Sequence, residues 1–192
     1  MYLSRNMYKL LAKLVYAVNG WKIQGSMPAE IKKCVLVAVP HTSNWDFLYG
    51  SCGWTLFGLK VKYLIKKEWF RFPFKGLMKS LGGIPVDRSK QTNLVDAMAE
   101  LVNNKEEIIV VMTPEGTRKK VDKWRTGFYH LALKTNSPIV LGKINYKTKM
   151  AIMGPSFMPT GNIEKDFEII REFYKDAVGC VPENFSVEAI RP

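Results

Sequence analysis

A chain of 192 residues with 47% hydrophobic and 24% charged residues has the composition of one domain with a sizeable core, not of a disordered segment. Lys and Arg number 29 against 17 Asp and Glu, a formal charge of +12, which favours a polyanionic partner: nucleic acid, an anionic membrane surface, or a phosphorylated or CoA-like substrate. Three widely spaced cysteines, Cys34, Cys52 and Cys180, suggest neither a disulfide framework nor a zinc motif, and no apolar run reaches the roughly 18 residues of a membrane span.

From Leu3 to Val18 the residues Leu3, Met7, Leu10, Leu11, Leu14, Val15 and Val18 fall at helical intervals, and Gly20 ends the pattern. Arg5, Lys9 and Lys13 recur every four residues on another face. Two readings fit this helix: an interfacial element with its apolar side among acyl chains and its cations at lipid phosphates, or a terminal helix docked on the core with a solvated basic face. The start of the chain does not read as a secretory signal, because Lys13 interrupts the apolar stretch and no small-residue cleavage site follows.

Trp21 to Ile23 is compatible with a short strand, and Cys34 to Val39 is a buried one. It runs into Pro40-His41-Thr42-Ser43-Asn44, after which a mostly apolar helix extends from about Trp45 to Phe57, with Ser43 or Asn44 as its cap. Val61 to Ile65 is the next strand, leading into Lys66-Lys67-Glu68. Pro73 opens a helical stretch over Phe74 to Leu81, stopped by Gly82-Gly83 before Ile84-Pro85-Val86-Asp87-Arg88. A helix over Gln91 to Asn103 precedes a strand, Ile108 to Met112, that enters Thr113-Pro114-Glu115-Gly116-Thr117-Arg118. A basic loop to Arg125, a helix from Gly127 to Lys134, strands at Ile139 to Leu141 and Met150 to Met153, and a helix from Ile163 to Tyr174 complete the chain. The alternation predicts a single α/β domain over 1–192, its mainly parallel sheet flanked by helices, with an amphipathic helix at 1–20.

Three strand-to-loop junctions carry chemistry-bearing residues: His41 with Asp46, Asp87 with Arg88, and Glu115, Gly116 and Thr117 with Arg118. Parallel strands would bring these loops to one edge of the sheet, where open α/β sheets hold their ligands. Asp46 would accept a hydrogen bond from one imidazole nitrogen of His41 and leave the other as a general base. Arg88 and Arg118 have the fork geometry suited to phosphate, and Gly116 lets backbone approach a ligand. Taken singly, each arginine is better read as a solvated or structural ion pair; together, at matching strand ends, they point to a shared site. A basic module for anionic lipid or nucleic acid, without catalysis, would account for the charge but leave the His-Asp pair unexplained. His130, mid-helix with no neighbouring acid, reads as structural, and no cluster has metal-ligand spacing.

These segments resemble a family. PHTSNWD is similar to the His-four-residues-Asp motif, GGIPVDR to the glycine-isoleucine-aspartate-arginine motif, and TPEGTR to the proline-glutamate-glycine-threonine motif of the glycerolipid acyltransferases, in order between Val35 and Val140. Lys66-Lys67-Glu68, Pro73 and Gly76 resemble the segment before the second motif. Within the family, the resemblance is to the 1-acylglycerol-3-phosphate acyltransferases and implies their fold, that of the glycerol-3-phosphate acyltransferases. It also implies acyl transfer from acyl-CoA or acyl carrier protein to a lysophosphatidic acid-like hydroxyl, with another lyso-lipid or alcohol as the alternative acceptor. His41 would be the base, Asp46 would hold the imidazole, and no acyl-enzyme would form, which leaves Ser43 as a cap and not a nucleophile. Arg88, Arg118 and Lys66 would clamp the acceptor phosphate, and Asp87, Glu115, Gly116 and Thr117 would complete that pocket. No cofactor beyond the thioester co-substrate and no nucleic acid are implied. The expected location is peripheral, on the cytoplasmic face of a membrane, with Arg5, Lys9 and Lys13 at its anionic surface. Pro40, where the lysophosphatidic acid enzymes commonly have asparagine, bears on the acceptor more than on the reaction.

Overall fold

The computed structural model describes residues 5–71, 75–86 and 94–192. In chain order they form α1 (Arg5–Asn19), β1 (Lys22–Gln24), β2 (Lys33–Val39), α2 (Trp45–Leu56), β3 (Val61–Lys66), a 3₁₀ turn (Lys67–Phe70), α3 (Lys75–Ser80), β4 (Gly83–Val86), α4 (Leu94–Asn103) and β5 (Ile108–Met112). These are followed by α5 (Gly127–Lys134), β6 (Ile139–Asn145), β7 (Met150–Phe157), α6 (Ile163–Tyr174) and two short 3₁₀ turns.

The strands form one sheet in the order β1-β7-β6-β2-β5-β3-β4. β2 lies inside it, parallel to β5 through Val35↔Val110 and to β6 through Val35↔Ile139. β3 is parallel to both β5 and β4, so β2 to β6 agree with the parallel sheet expected from the alternation of elements. The difference lies at the other side: β6 and β7 pair antiparallel, and both run past the short apolar runs that announce them. β6 continues through Gly142 and Lys143 because the Lys143 amine is buried against the Phe173 carbonyl (2.9 Å) and Asp176 (2.5 Å), partners distant in sequence. β7 continues through Gly154 and Pro155 beyond its three-residue pairing with β1, next to a register shift against β6. A proline is tolerated where its missing N–H has no ladder partner, and the same holds for Pro85 in the outer strand β4.

Side-chain alternation sorts β2 between two cores. Val35, Val37 and Val39 face α4, α5 and α6, packing with Met98, Phe128, Leu131, Phe167 and Ile170. Cys34 and Leu36 face the opposite layer with Val61, Tyr63, Val111 and Met153, under Phe47 and Trp54 of α2. Cys34 and Cys52 are buried free thiols, Cys180 is a half-buried one, and burial pushes the Cys34 thiol up to about 12.

α1 sits on this second layer through Ala12 and Tyr16, each 3% exposed, beside Trp21, Cys52 and Ala151. The docked face is therefore not the apolar stripe. Leu10, Leu14 and Val18 are 67%, 59% and 76% exposed, and Lys9 and Lys13 are exposed as well. No helix among the described residues is long and apolar enough to cross a membrane.

Gly82 precedes β4 with φ +94°, and a Cβ there would lie 2.1 Å from the Val61 carbonyl oxygen. Both the backbone conformation and the space reject a side chain. Gly82→Ala is expected to lower stability by at least about 2 kcal/mol in urea unfolding; a change below about 0.5 kcal/mol would contradict this close approach.

Candidate active site

The register of the central strands decides which loops meet. Val37 of β2 pairs with Met112 of β5, the last residue of that strand, so the chain leaves both strands at the same edge. His41 and Glu115 then meet: the His41 amide donates to Glu115 Oε1 at 2.8 Å. The Val39-Pro40 peptide immediately before is cis.

Asp46, in the first turn of α2 and 5% exposed, folds the loop back on itself. Its Oδ2 accepts the amides of Thr42 (2.5 Å) and Ser43 (2.7 Å), and its Oδ1 accepts the hydroxyl of Tyr146 at 2.7 Å. His41 Nδ1 stands 3.9 Å from Oδ2, in ion-pair range but beyond a direct hydrogen bond, so the carboxylate's short contacts go to the loop amides and the tyrosine, where the spacing pointed to the imidazole. Ser43 Oγ accepts the Trp45 amide at 3.3 Å, whereas Asn44, the N-cap of α2, makes no side-chain cap bond. Thr42 is also held from the C-terminal segment, its Oγ1 accepting the Val181 amide at 3.2 Å.

Glu115 lies beneath His41, 4% exposed, and its Oε2 has no hydrogen-bond partner among the described residues. Burial is the main cause that pushes its carboxyl up to about 8; the Asp46 charge adds to it, and the His41 amide opposes it. Gly116 follows with φ +66°, and a Cβ there would lie 2.9 Å from Arg125 Nε and 3.1 Å from its Cδ, so the Arg125 side chain crosses directly over the glycine. The Arg125 amide donates to the Pro114 carbonyl at 2.9 Å, and Trp124, 2% exposed, is held through its amide on the Ala189 carbonyl. The segment between is an Ω-like loop with exposed Arg118, Lys119, Lys120 and Lys123.

His41, Asp46, Gly116, Thr117 and Arg118 line one cavity of about 880 Å³. Its interior runs beneath α2 between apolar walls that include Phe47, Trp54, Phe57, Tyr63, Ile65 and Met153. The site residues expected from sequence thus divide into four groups. His41, Asp46, Glu115, Gly116, Thr117 and Arg118 come together, although Glu115 is under the loop and not on the cavity wall. Lys66 closes β3 at the same edge, in register with Val86 at the end of β4, but its side chain, like that of Arg5, lies outside the described residues. Asp87 and Arg88 lie outside them entirely. Lys9 and Lys13 are exposed on α1, and His130 is exposed on α5. Two residues escaped the sequence reading: Tyr146 and Arg125. Tyr146 follows the end of β6, another parallel strand, and strand-end position was the signal available for it.

The segment spanning β1 to the middle of β6, residues 21–141, matches the Acyltransferase family model. The chain belongs to the acyltransferase family. This chain is 32% identical over 125 residues to a 1-acyl-sn-glycerol-3-phosphate acyltransferase of Limnanthes douglasii, a match covering 62% of this chain and 43% of that protein. It is 35% identical over 142 residues to the protein of the same name from Limnanthes alba, covering 70% of this chain and 50% of the other. The chain thus spans about half the length of the curated relatives it matches. The crystal structure of the 1-acyl-sn-glycerophosphate (LPA) acyltransferase PlsC from Thermotoga maritima shares the fold, with a TM-score of 0.64 at 17% identity over 89% of this chain and 77% of that one.

The perturbed Glu115 carboxyl makes the stability of the fold depend on pH. The unfolded chain releases this proton near 4.5 and the folded chain near 8, so the folded state holds the extra proton between those values. Stability therefore falls as pH rises through that window. Glu115→Gln is expected to remove this component, gaining stability over wild type on the order of a few kcal/mol between about pH 5 and about pH 8 in urea unfolding. Parallel pH dependences in the two proteins would contradict the buried protonated carboxyl.

Proposed function

We propose that this chain carries out O-acyl transfer from a thioester, acyl-CoA or acyl carrier protein, to the hydroxyl of a lysophosphatidic acid-like acceptor. The observation that supports it most is the placement of His41 at the opening of a mostly apolar cavity whose rim also carries Arg118 and Lys119. An acyl chain fits the apolar interior, a phosphate fits the cationic rim, and the imidazole stands where the two substrates would meet. The volume lies within the roughly 300–1,000 Å³ usual for small-molecule sites.

In this reading His41 takes the proton of the acceptor hydroxyl as its oxygen bonds to the thioester carbon. Collapse of the tetrahedral species breaks the carbon-sulfur bond, and the imidazolium returns the proton to the departing thiolate. Asp46, one ion-pair distance away, stabilises the imidazolium. No acyl-enzyme and no metal or organic cofactor enter this sequence. Arg118 clamps the acceptor phosphate, with Lys66 and Arg88 carried over from the family resemblance, and holding both substrates together supplies much of the rate. Asp87 and Thr117 complete the acceptor pocket, and Glu115 supports it from beneath.

The substrate reaches the enzyme from a lipid surface. The exposed stripe of α1 with Lys9 and Lys13 alongside supports peripheral contact with an anionic membrane, its apolar side chains among acyl chains and its amines at phosphates. Arg5 continues the basic series, and the expected side is the cytoplasmic face.

His41→Ala is expected to lower acylation of lysophosphatidic acid by labelled acyl-CoA by about 100-fold or more; product formation at the wild-type rate would refute the base. Leu10→Glu with Leu14→Glu, both on exposed positions, is expected to abolish co-sedimentation with anionic vesicles while leaving the unfolding midpoint unchanged. Partitioning equal to wild type would sink the membrane role of α1.

A further inference from the structure

Tyr146 lies beyond residues 21–141, the segment that matches the family, and follows directly on Asn145 at the end of β6. Its backbone is fixed by a hydrogen bond that the Tyr146 amide donates to the Val178 carbonyl at 2.9 Å. Its ring is boxed by aromatic neighbours: Trp21 meets it edge-on at 5.0 Å, and Tyr49 edge-on at 5.8 Å. Trp21 and Tyr49 are themselves stacked at 4.3 Å, and the Tyr16 hydroxyl of α1 locks the box by donating to the Tyr49 carbonyl at 2.7 Å. A ring held this tightly can present its hydroxyl in one place, and that place is Asp46 Oδ1, 2.7 Å away.

The two oxygens of Asp46 are thereby divided. Oδ2 takes the Thr42 and Ser43 amides and faces His41 Nδ1, while Oδ1 takes Tyr146. A carboxylate fixed through one oxygen alone can still turn about its Cβ–Cγ bond; fixing both sets its plane. Burial, and then the neighbouring Asp46, raise the Tyr146 phenol well above its ordinary range, so it acts as a standing donor.

We infer that Tyr146 is a positioning residue of the acyl-transfer site, whose hydroxyl sets the plane of Asp46 so that Oδ2 stays aimed at His41 as the imidazolium forms. This inference rests on the reading of His41 as the base. No proton passes through Tyr146; its contribution is orientation, acting through Asp46, and it never touches either substrate.

Tyr146→Phe keeps the ring in its box and removes only the hydroxyl. The expected result is a fall in kcat of about 10- to 100-fold, with KM for donor and acceptor within about threefold of wild type, alongside a lower unfolding midpoint from the unpaired Asp46 Oδ1. The chain has two histidines, so ring-nitrogen chemical shifts report on the site directly in the free protein. Those of His41 should move in Tyr146→Phe while those of the exposed His130 stay in place. Turnover lost in His41→Ala but retained at the wild-type kcat in Tyr146→Phe, with His41 shifts unmoved, would overturn this inference alone. Turnover surviving in His41→Ala would overturn the base and this inference with it.

Discussion

A carboxylate that is 5% exposed must find donors for both oxygens, and the edge of this sheet is built around satisfying Asp46. The amides of Thr42 and Ser43 reach it because the chain turns sharply after β2, and the Tyr146 hydroxyl reaches it because β6 runs parallel to β2 and ends beside it. The start of α2, the shape of the His41 loop and the turn between β6 and β7 therefore share one anchor. Removing it would strand two amides and a phenol in the interior, and would free the histidine loop at the same time.

Glu115 presents the opposite case, a second buried carboxyl a short distance away with one oxygen satisfied by the His41 amide and the other without a partner among the described residues. Its preference for the protonated form follows from that environment and from the nearby Asp46. The two acids hold the histidine segment from different elements, Asp46 of α2 through the amides after His41 and Glu115 of the loop after β5 through the amide of His41 itself. The imidazole, 22% exposed, is left facing the cavity while its backbone is clamped on both sides. Such a division fixes the main chain of His41 while leaving its ring open to the cavity.

Much of this was readable before the coordinates. Helices with a clean apolar face and a clear stop were bounded to the residue, as at Gly127–Lys134 and Ile163–Tyr174. The three motif-bearing junctions were placed at strand ends, and the described ones meet at one edge. What sequence spacing could not convey was non-local. Lys143 looks like the end of a strand until Asp176 and the Phe173 carbonyl bury its amine, and β7 runs antiparallel to β6 although nothing within either segment specifies direction. The four-residue separation of His41 and Asp46 marked both residues but not the partners of Asp46, which are two amides and a tyrosine a hundred residues away. On α1 the stripe was visible and its orientation was not, since Ala12 and Tyr16 rather than the leucines make the docked face.

The neck of the basic loop has a consequence for how this fold diversifies. Because the Arg125 amide closes on the Pro114 carbonyl and Trp124 plugs the core, the loop that contains Lys119 to Lys123 is pinned at its neck. The exposed residues there, Lys119, Lys120, Asp122 and Lys123, can be recharged with little effect on packing, while Val121 stays against the main core. The loop is thus a cassette bordering the cavity, where surface charge can change locally while the clamped histidine loop and its two acids stay in place.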